Sequence, residues 1–177
     1  MQKSSASIRY AKALFDLSLE QNVTETTLAD LRLIYSLLKR DKNFKTLTTN
    51  PTIKKNIKKT IFLKTLSGKI SSICLNFLLL VINKGREPLL NDLIEKYETI
   101  YNKHNKIRII QTVSARPLTE EQKSILVDKM NADGSKIKLI EQVDAKLLGG
   151  IIIKKDGVQF DASIRKKIKN ARRAFKL

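Results

Sequence analysis

Apolar residues first settle into a clear rhythm at Leu28, Leu31, Ile34, Tyr35 and Leu38. Steps of three and four keep them on one side of a helix, so the spacing predicts a helix over residues 24–39. An earlier helix, ending near residue 20, carries Tyr10, Ala13, Leu14 and Leu17 in one stripe and Ala11 with Phe15 in a second. Ser5 or Ser7 is its expected cap. The apolar arc is wider than one core contact needs. Such a helix either touches a core on one side and a partner on the other, or lies buried at the centre of a bundle. Phe44 and Leu47 mark a short segment over 41–48, and Asn50-Pro51 punctuates the chain. A helix is expected over 52–66, with Ile53, Ile57 and Ile61 facing inward and Lys54, Lys55, Lys58 and Lys59 on a solvated face. Residues 71–83 are apolar nearly all round, which suits a central helix or one covered by a partner, and Gly85 follows as a C-cap. Leu90, Leu93, Ile94, Tyr97, Ile100 and Tyr101 give a sixth helix over 87–104.

The rhythm changes at Lys106. KIRIIQTVS has the β-branched content of a strand, and a second strand is expected over 136–143. Between them Thr119 and Gln122 occupy the positions of a capping box for a helix running to about residue 132. Asp156-Gly157, between two short β-branched runs, signals a hairpin. Asp161 and Ser163 suit the start of a final helix with Ile164, Ile168, Ala171 and Phe175 on one stripe. The expected fold is mainly α: a six-helix bundle over residues 1–105, then a small α+β domain over 106–177.

Charge complicates this plain picture. The net charge is +18, a balance that attracts nucleic acid, anionic lipid or acidic protein surfaces. It is spread evenly, +9 on either side of residue 104, and comes from 26 lysines and only 9 arginines. Arginine is the better phosphate fork, so a codon bias toward lysine competes with a binding role. No apolar run is long enough to span a bilayer. The first residues lack the apolar core of a signal peptide, so the protein is expected to work where it is made.

Candidate chemistry is sparse. Cys74 is the only cysteine and His104 the only histidine, which excludes an internal disulfide and argues against a metal centre. Cys74 reads as a small core residue and His104 as part of a solvated helix end. Gly149-Gly150 precedes a strand, not a helix, and no Lys-Ser/Thr follows, so it lacks the order of a phosphate loop. Gly149 and Gly150 are therefore read as structural, allowing a tight turn or close backbone approach. No histidine is available to make a triad with any serine, and Glu120-Glu121 sits where acids suit a helix dipole. No catalytic constellation, cofactor site or metal site is expected.

Five stretches, in order, carry a family resemblance across nearly the whole chain. They are Arg9 to Leu14 (RYAKAL), Asn50-Pro51, Asn76-Phe77 leading to Asn83-Lys84-Gly85-Arg86, Ser114 to Thr119 (SARPLT), and the segment 144–168 with its Leu-Gly-Gly, hairpin and Asp-x-Ser-Ile-Arg. Together they resemble the delta subunit of the bacterial rotary ATP synthase, counterpart of the mitochondrial oligomycin-sensitivity-conferring protein. Ala145-Lys146 departs from the Pro-Ser common there. The resemblance implies a non-catalytic stator part of a hetero-oligomeric complex. It implies that the helical domain grips the N-terminal segment of an alpha subunit along the first and fifth helices. Tyr10, Ala13, Leu14 and Leu17, with Phe77 and Leu80 opposite, are the residues expected there. The smaller domain is expected to bind the C-terminal ends of the peripheral-stalk b subunits. The protein would then sit at the cytoplasmic face of the bacterial plasma membrane, held there only through its partners, with no nucleic acid bound. The competing expectation, from charge alone, is a basic RNA-binding or ribosome-associated protein.

Overall fold

The structure, a computed structural model, describes residues 2–131, 134–155 and 157–174. Its described residues form eight α-helices, two short 3-10 turns and one four-stranded sheet, so the chain is mainly helical with a small sheet in its C-terminal part. It divides into two compact units, Met1–Tyr101 and Asn102–Leu177.

The first unit holds α1 (Gln2–Glu20), α2 (Thr24–Arg40), α3 (Lys42–Thr49), α4 (Lys55–Leu66), α5 (Ser72–Asn83) and most of α6 (Leu90–His104). All six helices contribute to one apolar core, in which Leu14, Leu31, Ile34, Phe62, Leu66, Leu78 and Tyr97 are almost wholly buried. Each such side chain contributes about 1.5–3 kcal/mol by leaving water. The helix boundaries have local causes. Asp41 ends α2 through its amide, bonded to the Leu37 carbonyl at 2.9 Å, and begins α3 by accepting from the Asn43 and Phe44 amides at 2.8 and 3.3 Å. Ser71 caps α5 by accepting from the Cys74 amide at 3.4 Å.

Three expectations for this unit are corrected. Helix α1 begins at Gln2, so neither Ser5 nor Ser7 caps it; Ser7 lies mid-helix and is fully buried. Helix α4 begins at Lys55 rather than at residue 52, because the Asn50 side chain accepts from the Thr52 amide at 2.9 Å and holds the chain in a turn around Pro51. The inward face of α4 is also rotated. Phe62, Leu66 and Lys58 are buried, while Ile57 and Ile61 are 51% and 38% exposed. Lys58 is not on a solvated face: its ammonium lies 3.2 Å from the Glu87 carboxylate in a buried pair. A buried lysine of this kind is tolerable only with such a counter-charge.

The second unit is built on β1 (Ile107–Ser114), α7 (Glu120–Met130), β2 (Lys136–Val143), β3 (Ile151–Lys155), β4 (Val158–Asp161) and α8 (Ile164–Ala174). The strand order is β2-β1-β3-β4, with β1 and β2 parallel and the β1–β3 and β3–β4 pairs antiparallel. A parallel pair needs a crossover, and α7 supplies it. Thr119 and Gln122 form the expected capping box at its start. Lys123 ties α7 to β2, lying 2.8 Å from both Glu120 and Glu141, and these two carboxylates push its pKa up to about 12. Strands β3 and β4 pair around Gly157 as a hairpin requires; Asp156, Ala132 and Phe175 lie outside the described residues.

Candidate docking surfaces

Helix α1 separates its two stripes cleanly. Ala11, Phe15 and the Ser18 hydroxyl are buried, and Ser18 Oγ lies 2.8 Å from Tyr97 Oη at the centre of the core. Burial raises the pKa of that phenol. The other stripe faces α5. Tyr10, Ala13, Leu14 and Leu17 from α1, with Phe77 and Leu80 from α5, line one groove of about 430 Å³. All six residues singled out in the sequence thus share one surface feature. Leu14, 1% exposed, forms the floor, while Leu17 and Leu80, 43% and 46% exposed, stand at the sides. The Tyr10 and Phe77 rings meet edge to face at 6.5 Å between centroids. The sequence reading missed Gln21, Ser72, Ile73 and Asn76, which complete the lining. Ile73, Asn76, Phe77 and Leu80 repeat on α5 the i, i+3, i+4, i+7 spacing of the α1 stripe, a signal that was present but obscured because α5 is apolar all round.

The α5 wall is fastened at both ends. At its start the Ser71 amide donates to Asp30 Oδ2 of α2 at 2.8 Å. At its end Lys55 of α4 donates to the Asn83 carbonyl at 3.0 Å, placing a cation on the negative end of the helix. The buried Lys58–Glu87 pair lies just beyond. Between the fastenings, burial and the nearby Asp30 push the Cys74 thiol up to about 12, so it is an inert packing group.

In the second unit the paired glycines meet the start of α8. Gly150 has φ +81°, and a Cβ there would stand 2.5 Å from the Ala162 carbonyl oxygen and 2.9 Å from Ser163 Cα. A Cβ on Gly149 would stand 2.6 Å from Ile164 Cδ1, and its carbonyl accepts from the Ile164 amide at 3.0 Å. At Gly150 backbone packs on backbone, leaving no room for a side chain. Asp161 and Ser163 fix the same junction: the Ser163 amide donates to Asp161 Oδ1 at 2.9 Å, and Ser163 Oγ accepts from the Lys166 amide at 3.2 Å. Hydrogen bonding from the Ser163 hydroxyl and amide lowers the Asp161 pKa. Beside the glycines, Leu118, Ile125, Leu126 and Leu148 line a shallow apolar hollow of about 680 Å³. Leu148 is 74% exposed and takes a left-handed backbone, φ +60°, which no sequence signal announced. Among the described residues no group of three metal-ligating side chains occurs, and no helix is long and apolar enough to cross a membrane.

An apolar groove between two helices, with the buried Asp30 tying one wall to α2, puts the molecule in the class of candidate docking proteins. Comparison with known proteins gives that class a family. The profile of the ATP synthase delta (OSCP) subunit matches residues 6–175, and the chain belongs to this family. It is 34% identical over 175 residues to the ATP synthase subunit delta of Fusobacterium nucleatum, covering 98% of this chain and 100% of that one. To the same subunit of Cytophaga hutchinsonii it is 29% identical over 175 residues, covering 99% and 96%. Its fold matches a chain in the cryo-EM structure of the Toxoplasma gondii mitochondrial ATP synthase hexamer, with a TM-score of 0.72, 21% identity and 97% of each chain covered. Family membership makes the protein a non-catalytic stator subunit of an ATP synthase. The relatives lend no support to the RNA-binding alternative.

Proposed function

We propose that the first unit acts as a six-helix bundle that holds the N-terminal segment of an alpha subunit in the α1–α5 groove. The second unit holds the C-terminal ends of the b subunits. Acting together, they tie the catalytic head to the membrane-anchored stalk at the cytoplasmic face of the plasma membrane and resist rotor torque. The observation that carries this reading is the groove itself. Two helices each present an i, i+3, i+4, i+7 stripe to the same space, and the deepest residue, Leu14, is buried while both sides stay open. That is the shape a third, amphipathic helix fills. Ala13 is the small residue that lets its backbone approach.

The test is a calorimetric titration of the full chain with a synthetic peptide of the alpha N-terminal segment, repeated with Leu17→Asn plus Leu80→Asn. Saturable binding by the parent and its loss in the variant, with unchanged circular dichroism, is the expected result. Equal binding by both proteins rules the groove out. A companion pull-down with the soluble part of b tests the second unit.

A further inference from the structure

Helix α8 is anchored at its start, where Ile164 meets Gly149, but none of its described side chains is buried. It is 11 residues long. Isolated helices of that length are marginal in water and usually rely on burying a face. From Ile164 through Asn170, and again at Arg172 and Arg173, its residues are exposed. Six of its residues are cations: Arg165, Lys166, Lys167, Lys169, Arg172 and Arg173. Residues 162–177 contain no acid. Lys169 has a like charge three or four positions away on both sides, at Arg165, Lys166, Arg172 and Arg173. Each such pair destabilises an isolated helix by about 0.2–0.5 kcal/mol. Yet the chain spends two side chains and two glycines on starting this helix at a fixed place: Asp161, Ser163, Gly149 and Gly150.

The cations are also arranged. At about 100° per residue, Ile164 and Ile168 share one side of α8, with Lys167 on one flank and Arg165 and Arg172 on the other. Ile164 and Ile168 are 44% and 46% exposed. An apolar seam between two positive rails complements a helix with an apolar seam between negative rails. A nucleic acid would use the rails and leave the seam wet. Two half-exposed isoleucines seal a helix–helix contact but offer little area to lipid.

We propose that α8 is a docking helix for an acidic amphipathic helix in the stalk partner of this subunit, the isoleucine seam supplying contact and the flanking cations supplying register and orientation. The proposal rests on the reading that the second unit holds the stalk, and adds which element does so and what chemistry it selects. Helix α8 is then completed by its partner: acids opposite Arg165 and Arg172 offset two of the four like-charge pairs that Lys169 makes, and an acid opposite Lys167 engages the other flank.

The experiment measures binding of the full chain to the soluble domain of the b subunit from the same complex. It compares the parent, Arg165→Glu/Lys167→Glu/Arg172→Glu and Ile168→Asn, at low and high salt. Reversing three rail charges is expected to weaken binding about tenfold or more at low salt. The gap should shrink to about threefold near 0.5 M salt, where the screening length falls to a few ångströms. Ile168→Asn is expected to weaken binding at both salt levels. Lysines placed at the acids of the b domain's terminal helix are expected to restore binding to the charge-reversed protein. Parent and variants bound with equal affinity overturn the proposal while leaving the stalk reading intact. A parent that does not bind the b domain sinks both. Tighter binding of the parent to a single-stranded RNA or to anionic phosphatidylglycerol vesicles, lost in the charge-reversed variant, assigns α8 to that partner instead and overturns the proposal.

Discussion

The two units spend their apolar residues in opposite ways. In the first, twenty buried residues drawn from six helices form a continuous cluster. In the second, the buried apolar residues among those described are Ile110, Leu147 and Ile153, and α7 and α8 bury nothing completely among their described side chains. Leu148, Val158 and Phe160 stand 74%, 72% and 64% exposed there. The first unit therefore carries its own stability and offers a groove that is already formed. The second unit has a hydrogen-bonded sheet with apolar surface left over, the condition of a part finished by something else. Under the proposed function, the first unit supplies a preformed socket and the second a joint that tightens on assembly.

That contrast can be broken at its strongest point first. Phe62→Ala should cost the first unit about 3–5 kcal/mol, because the ring is wholly buried against Phe44 with centroids 4.9 Å apart. Urea unfolding followed by hydrogen exchange should show the loss in α1–α6 and little change in the sheet; a uniform loss across both units would mean that they fold as one. Next, Ala13→Asp should leave stability nearly unchanged, since Ala13 is exposed. It should cost binding of the alpha segment about 2–4 kcal/mol by trapping an unpaired carboxylate in an apolar contact, read by calorimetry. Gly150→Ala should cost about 1–3 kcal/mol of strain, confined to the second unit, because its new Cβ meets backbone that cannot swing aside. Exchange protection should fall in α8 and β3 and persist in α1–α6.

The smallest effect concerns Cys74. Its thiol pKa is raised from 9.0 to about 12 on folding, so the protonated form is favoured in the native state. The stabilisation is complete below pH 9 and is lost as the pH climbs toward 12. At pH 10 the loss should be about 1 kcal/mol. Cys74→Ala should flatten that part of the stability profile while lowering the whole curve, and an unchanged slope would show that other groups set it.

Much of this contrast could be read from the chain, and the misses share a cause. The stripes of α1, α2 and α6 are set by local spacing, which aligned Tyr10, Ala13, Leu14 and Leu17; their pairing with α5 came from the family resemblance. The glycine pair, Asp161 and Ser163 were legible because their role lies within fifteen residues of chain. The face of α4 was not, because Lys58 goes inside only when Glu87 is there to meet it, and periodicity carries no record of a partner 29 residues away. The Ser7 error has the same origin: a serine near a helix start resembles a cap until tertiary packing extends the helix past it. Leu148 shows the converse, a left-handed apolar residue held by the turn that follows Asp144 and by the glycines beyond.

One consequence of the fastened α5 concerns mechanics. A rod clamped at both ends deflects far less under a sideways load than one held at a single end, since bending grows steeply with unsupported length. Asp30 grips the start of α5 and Lys55 the end, each from a different helix. A pull exerted on Phe77 or Leu80 is therefore shared between α2 and α4 and passes into the core. The groove wall works as a supported beam, bedded along its length on Ile73, Cys74, Leu78, Val81 and Ile82 and tied at its ends by two polar bonds.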